Sequence, residues 1–566
     1  MYDYVIIGAG SAGCVLASRL TEDPATRVLL LEAGGPDDAD EVRIPAAYYR
    51  LFKTAYDWDF TTEQQPELEG RSVYWPRGRM LGGSSSMNAM IYIRGSEADY
   101  DAWRDQYGCD GWGYADVLPY FRRAEDQARG ESPYHGVGGP LRVEDLRQGH
   151  RLTRAFVDAA VSSGMSRNED FNAAGQDGAG FYQVTQRRGR RWSTADAYLR
   201  PALDRPNLTV CTDALVTEVM VEQGRAVGVR YRREGEERHD LAQREVILAG
   251  GAVASPQLLM LSGIGPGEHL REHGIGVVAD IPAVGENLQD HPMVAPMWAT
   301  PKVSNFWETE KARNQLLWQL LGRGPFASNI AEAGAFARTR SDLEAPDVQF
   351  IVLPSPFVEQ GLVEPPGRAI TVLTTLVSVA SRGRVTLRSA DPRWKPVIDP
   401  AYLAADSDLD ALAEGVRIAR TVAEQPPLAG LVDGEWQLGP QVRTGSALRK
   451  YVRRSVQTLY HPVATCAMGG DSGAVCDPEL RVRGVDGLRV VDASVMPAVP
   501  RGNTHAPTVA IAERAADLIA GRPVLSPVDP ADQQAETEAV APADRASATA
   551  PLPAQVSDGR DETERA

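Results

Sequence analysis

Apolar positions gather into short runs at four places, the last interrupted by one arginine: Tyr4-Val5-Ile6-Ile7, Val28-Leu29-Leu30-Leu31, Val246-Ile247-Leu248-Ala249 and Leu488-Arg489-Val490-Val491. Runs without polar alternation fit strands covered on both faces. Residues 12–22 suit a helix, so the first two runs predict a βαβ unit opening the chain and a parallel sheet. The other two runs lie hundreds of residues away but share this character and are expected in the same sheet. Residues 369–388 (AITVLTTLVSVASRGRVTLR) predict two strands joined at Ser381-Arg382-Gly383 as an antiparallel hairpin. The stretch 246–267 carries no charge, yet Gly250-Gly251 and Ser255-Pro256-Gln257 interrupt it. It predicts a buried strand, a turn and a short helix, with no transmembrane segment. Thr504 and His505 lead into Pro507-Thr508, where proline suits a helix start, and an amphipathic helix should run to about 520. Beyond about 526 the apolar period is lost.

These elements predict an α/β protein with an α+β second domain. A Rossmann-like nucleotide-binding domain would be assembled from 1–155, 208–297 and 455–525. A substrate-binding domain of antiparallel sheet and helices (156–207 and 298–454) would be inserted into it, and 526–566 would form a disordered acidic tail. A chain of 566 residues that is 43% apolar and 24% charged can bury a large core. The net charge of −17 disfavours nucleic acid or an anionic membrane as partner. Part of it is local, since the tail holds nine acids and three arginines. Five cysteines without paired spacing fit a reducing compartment, and the chain enters directly on its first strand without a secretory signal, so a cytoplasmic location is expected. There is no metal motif of the CxxC or HExxH kind.

Chemistry first shows at Gly8-Ala9-Gly10-Ser11-Ala12-Gly13, between a strand and a helix. Gly8 permits the tight turn, Gly10 lets a pyrophosphate approach the backbone, and Gly13 lets helix and strand pack closely. Ser11 and Ala12 open the helix whose N-terminus faces the phosphates. Glu32, ending the second strand next to Ala33, is placed to accept hydrogen bonds from the two ribose hydroxyls of an adenosine. No second such unit exists, so one dinucleotide binds. Its identity stays open on these residues. A second glycine-rich run, Arg77 to Asn88, offers close backbone approach to a bulky planar group, but by itself it also reads as a flexible loop.

Taken with four further segments, the pattern resembles the glucose–methanol–choline oxidoreductases, most closely bacterial choline-dehydrogenase-like alcohol dehydrogenases, over about residues 1–525. The carriers are GAGSAG with LLLEAG, RGRMLGGSSSMNAMIYIRG (77–95), GGAVASPQLLMLSGIG (250–265), GENLQDHP (285–292), YHPVATCAMG (460–469), and DASVMP followed by GNTHAPTVAIAERAAD (492–517). The resemblance implies FAD, with Gly82, Asn88, Ala89 and Met90 against the flavin ring, and Val216, Asp492 and Ala493 holding the adenine end and the ribityl chain. Members with a covalent flavin carry histidine where this chain has Met87, so the FAD should be non-covalent. The helix opening at Pro507 and Thr508 would point its positive end at the negative charge of reduced flavin.

Oxidising an alcohol requires a base near neutral pH, which favours histidine. Of eight histidines, His135, His150, His239, His269 and His273 sit in polar or helical surface contexts, and His291 sits in a turn and reads as structural. The resemblance assigns His461 as base and His505 as the group that hydrogen-bonds the substrate oxygen. It implies oxidation of a primary alcohol to an aldehyde by hydride transfer to flavin N5, with electrons passed to a quinone or other carrier. The alternatives are an oxygen-using oxidase and a choline dehydrogenase. A non-redox lyase also shares the fold, though the retained histidine pair argues against it. Glu332 and Tyr460 are candidate substrate contacts. A glutamate can pair with a trimethylammonium, but the position before it, aromatic in choline-acting relatives, is Ala331 here. An uncharged alcohol is therefore expected.

Overall fold

The structure, a computed structural model, describes residues 1–309, 311–363, 367–436, 442 and 445–531. The four apolar runs meet in one sheet. Tyr2–Ile7 lies between Val28–Leu31 and the end of Glu236–Leu248, parallel to both, and Leu488–Val490 pairs parallel on the far side of Glu236–Leu248. Glu236–Leu248 changes character along its length. Its polar first part pairs antiparallel with Arg225–Arg233, and only its apolar last residues are buried in the parallel sheet. Helix Ser11–Leu20 crosses between the first two strands, closed by the Thr21 hydroxyl donating to the Ala17 carbonyl at 2.7 Å. Gly13 lies so close to the strand that a Cβ there would stand 1.9 Å from the Gly8 carbonyl oxygen. Helix Gly251–Leu261 follows Glu236–Leu248, which matches the strand–turn–helix reading of 246–267. No helix among the described residues is long and apolar enough to cross a membrane.

The C-terminal helix runs His505–Ala520, and the expected amphipathic pattern does not hold: it is buried on nearly every side. It packs between helices Ser11–Leu20 and Tyr114–Ala124, so its polar residues find partners inside the protein. The Glu513 carboxylate accepts from Arg19, Arg123 and the Tyr198 hydroxyl.

A second, antiparallel sheet is ordered Gln457–Thr458, Pro292–Val294, Ala369–Leu376, Val348–Leu353, Ala333–Ala337, Gly178–Phe181, with Met297–Ala299 also on Ala369–Leu376. It draws in Pro292–Val294 and Gln457–Thr458 from segments expected in the nucleotide domain. The predicted 369–388 hairpin does not form. Ala369–Leu376 pairs with Val348–Leu353, while Arg384–Thr386 pairs with Val397–Asp399. The linker is held elsewhere: the Ala380 and Ser381 N–H groups donate to Asp408, and Gly383 exchanges backbone bonds with Leu288. Both central strands are buried throughout, yet they keep period two. Phe350, Val352, Ile370 and Val372 pack with Leu152, Phe156 and Ala419 of the helices behind the sheet. Ile351, Leu353 and Leu373 face forward. Residues Met1–Val528 form one compact unit, and the Val528 N–H donates to the Ala115 carbonyl at 2.9 Å, so the first residues of the expected disordered tail, 526–528, belong to that unit; 532–566 lie outside the described residues.

Candidate active site

One cleft runs from the first sheet to the front of the second. Its walls include Gly8, Gly10, Ser11, Ala12, Glu32, Ala33, Asn88, Ala89, Met90, Val216, Asp492, Ala493 and Thr508, all expected from sequence. Three predicted residues act from behind. Gly13 sets the helix–strand approach. Gly82, at φ +83°, donates its N–H to the Ala9 carbonyl at 2.7 Å. Pro507 fills the first turn of the C-terminal helix.

The Glu32 carboxylate accepts from the Ala9 and Gly34 N–H groups at 2.8 Å each, which fixes the glycine turn, and burial pushes its pKa up to about 7. Asp492 is held by Gly251, Ser255 and Ser494. The second glycine run closes on the first: a Cβ on Gly83 would lie 2.7 Å from the Gly10 Cα. The Ser11–Leu20 helix start has no side-chain cap, so its N–H groups face the cleft. A long cleft with an acid at one end, open helix N–H groups and glycine walls fits an adenine dinucleotide such as FAD.

At the other end stands His461. Pairing of Pro292–Val294 with Gln457–Thr458 brings His291 beside it, and the Leu459 N–H donates to the His291 carbonyl at 2.8 Å. The two rings meet edge-on, with Nδ1 atoms 3.0 Å apart. The Asn503 amide nitrogen lies 3.2 Å from His461 Nε2. Both contacts fit one tautomer of His461, in which Nε2 accepts the Asn503 N–H and the Nδ1 proton faces His291. The loop is anchored by buried Asp290. This residue accepts the His461 N–H at 2.7 Å and the Thr458 hydroxyl at 2.7 Å, and also takes the Tyr402 hydroxyl.

Burial drives the His461 pKa well below the usual histidine value, helped by His291 and the Arg77 guanidinium. Burial alone takes His291 down to about 3; for His505 it leads, with Arg191 adding to it, down to about 4. All three are neutral at pH 7. His505 Nδ1 lies 3.1 Å from the Ser11 hydroxyl, and its buried Nε2 has no partner among the described residues. His461 is therefore a neutral acceptor, and His505 keeps one nitrogen free.

Around His461 the cleft is apolar, lined by Tyr48, Phe52, Ile351, Leu353, Phe357, Leu373 and Leu459. Tyr460 also lines it, in the left-handed region at φ 70°, its hydroxyl donating to Gln360 at 2.9 Å. The fold does not bring Glu332 to this site. Ala331 lines the cleft, while the Glu332 carboxylate is buried behind it, accepting from the Ser328 and Thr153 hydroxyls and the His150 N–H at 2.6–2.7 Å. One other sequence reading needs correction. His135 is not a surface residue: it is buried between Glu125 and Asp170, whose carboxylates lie 3.0 Å from its two nitrogens. His150 caps helix Arg151–Ser162, its Nδ1 accepting the Leu152 N–H.

Sequence reasoning missed His291 as a partner of His461, and it missed Asn503 and Arg77. Asn503 had a signal, two positions before His505. His291 had none, because its place depends on a strand pairing across 170 residues.

Comparison with known proteins agrees with this geometry. Residues 2–293 and 379–512 match the N- and C-terminal profiles described as GMC oxidoreductase. An uncharacterized GMC-type oxidoreductase of Mycobacterium tuberculosis is 47% identical over 91% of this chain and 99% of its own. The mitochondrial choline dehydrogenase of Homo sapiens is 44% identical over 93% and 90%, and an alcohol dehydrogenase (acceptor) of Pseudomonas putida 43% over 94% and 97%. Among solved structures, pyridoxine 4-oxidase from Mesorbium loti superposes with TM-score 0.85 at 34% identity, covering 92% of this chain and all of that one.

Proposed function

The chain belongs to the GMC oxidoreductase family, and from that premise we propose that it oxidises an uncharged, apolar primary alcohol to the aldehyde, using non-covalent FAD and passing electrons to a quinone or other carrier. It is an oxidoreductase acting on CH–OH donors, and its cofactor is FAD. When bound, FAD supplies the hydride acceptor. The protein supplies the rest. Nε2 of His461, once the substrate hydroxyl takes the place of the Asn503 amide at its single lone pair, accepts the hydroxyl proton, and the resulting imidazolium keeps its Nδ1 proton on His291. The free Nε2 of His505 and the Asn503 amide orient the substrate oxygen. The apolar walls exclude water. Gly8, Gly10, Ser11, Glu32 and the Gly82–Met90 loop would hold the cofactor. Met87, which lines the cleft, supports non-covalent binding.

One observation carries the choice of substrate. The lining around His461 has no carboxylate, and the one acid expected to meet a cationic alcohol, Glu332, is bonded elsewhere. Relatives named choline dehydrogenase make choline the competing reading. Anaerobic flavin reduction by hexanol, benzyl alcohol and choline decides between them. We expect kcat/KM for an uncharged alcohol to exceed that for choline by about tenfold or more, the scale of leaving a cation without a counter-charge in an apolar site. A choline preference would overturn the substrate assignment.

A further inference from the structure

Helix Ala312–Leu321 (ARNQLLWQLL) inverts the usual pattern of a surface helix. Trp318 is its one buried residue, with the indole N–H donating to the Gly189 carbonyl at 2.8 Å. Leu316, Leu317, Leu320 and Leu321 are 54%, 36%, 72% and 59% exposed and form a continuous stripe on the outer face. Four adjacent exposed leucines mark a contact surface rather than chance exposure.

The rim of this stripe is basic. Lys311 and Arg313 flank its start and Arg323 follows its end. The loop Arg187–Arg190 locks onto the helix terminus, where a Cβ on Gly322 would stand 2.0 Å from the Arg188 carbonyl oxygen, and the Arg190 guanidinium lies 4.6 Å over the Trp318 ring. Arg187, Arg188 and Arg190 are exposed. None of these six cations makes an ion pair with a carboxylate among the described residues. Of the nearby acids, Glu144 takes the Arg188 backbone N–H and pairs with the guanidinium of Arg142, and Glu308 pairs with Arg368. In a chain of net charge −17, this is a local reversal of sign.

We propose that Ala312–Leu321 and its basic rim form a docking face for an anionic lipid surface, with the leucines entering the interface and the cations meeting the headgroups. Charge complementarity selects this occupant: exposed leucines alone would suit any apolar partner, whereas leucines ringed by cations are the composition of an in-plane membrane helix. Net charge disfavours anionic membranes for the chain as a whole; the proposal concerns this face alone. The placement also matters. The following turn, Pro325–Ala327, packs on Pro45–Leu51, whose Tyr48 lines the cleft. A docked enzyme would hold that side of its substrate cavity next to the phase in which apolar alcohols and quinones dissolve. This link to catalysis rests on the function proposed above; docking itself does not.

The test is co-sedimentation of the full-length holoprotein with sucrose-loaded vesicles of phosphatidylcholine, with and without phosphatidylglycerol. Binding is expected to the anionic vesicles, to weaken in high salt, and to fall about tenfold or more in Leu316→Gln/Leu320→Gln, since two apolar anchors are removed. Both residues are exposed, so flavin content and turnover with a soluble dye should stay at wild-type level, which separates failure of docking from failure of the catalytic assignment. Absence of binding, or equal binding by the variant, would overturn the proposal. So would a halving of the variant's mass in light scattering without vesicle binding, which would make a second copy the occupant. Binding that appears only after deletion of 529–566 would make the acidic tail the occupant and would overturn it too.

Discussion

The two ends of the cleft are built on different principles. At the Glu32 end the cleft is built of backbone: N–H groups, tight turns and glycines that admit no side chain. At the His461 end it is built of side chains that converge from strands far apart in sequence, set in a wall that is merely apolar. A site made of backbone has little latitude, because one methyl group disrupts it. A site made of side chains can lose its chemistry while the framework stands.

Single substitutions at each end should separate the two principles. The largest effect is expected for His461→Ala. Flavin reduction by alcohol should slow by about a hundredfold or more, the scale of losing a positioned base, while bound FAD stays near wild type. Stopped-flow reduction with flavin content read on the same sample checks both halves, and loss of FAD would mean that the two ends are not independent. Gly13→Ala should do the converse. The new Cβ would lie 1.9 Å from the Gly8 carbonyl oxygen, so helix and strand must separate, and FAD content should fall by about tenfold or the protein should fail to accumulate. Full occupancy in soluble Gly13→Ala would refute the claim that backbone contact governs that end.

The smallest effect is a shift in pH dependence. Burial lowers the folded-state pKa of His461, His291 and His505, so the unfolded chain binds more protons than the folded one below the ordinary histidine value of about 6.5. The stability these groups contribute is present above that value and is lost as pH falls toward 4 and 3. The acid limb of flavin reduction should therefore lie below pH 6.5, and the melting temperature should start to fall as pH drops below 6.5. An acid limb above 6.5 would show that His461 is not held neutral.

The same contrast explains what could be read from the sequence. The cofactor end was legible down to Glu32 and individual glycines, because a turn or a close approach restricts residue type locally. The four apolar runs were legible for a similar reason, since a strand covered on both faces has few polar options. The second sheet was less so. Ala369–Leu376 was recognised as a strand, but its partner was misassigned to 384–388, because a strand apolar on both faces does not announce its neighbour and Asp408 redirects the linker. His291 looked structural for want of any local sign that Pro292–Val294 would lie beside Gln457–Thr458. Glu332 looked functional because sequence shows that an acid is present but not which way it points. The buried C-terminal helix was misread as amphipathic because Glu513 and Asp517 look solvent-seeking until Arg19 and Arg123 are seen beside them.

The period-two alternation of Val348–Leu353 and Ala369–Leu376 bears on how such an enzyme changes its diet. Positions 350, 352, 370 and 372 answer to the helices behind the sheet, whereas 351, 353 and 373 pack in a different cluster that also borders the cleft. Adjacent codons thus fall under different selection, one set for folding alone and the other also for the shape of the guest. On the function proposed above, exchanges of Ile351, Leu353 or Leu373 for apolar residues of similar size are the ones expected to move such a lineage from one alcohol to another with the sheet and the helices behind it as inherited.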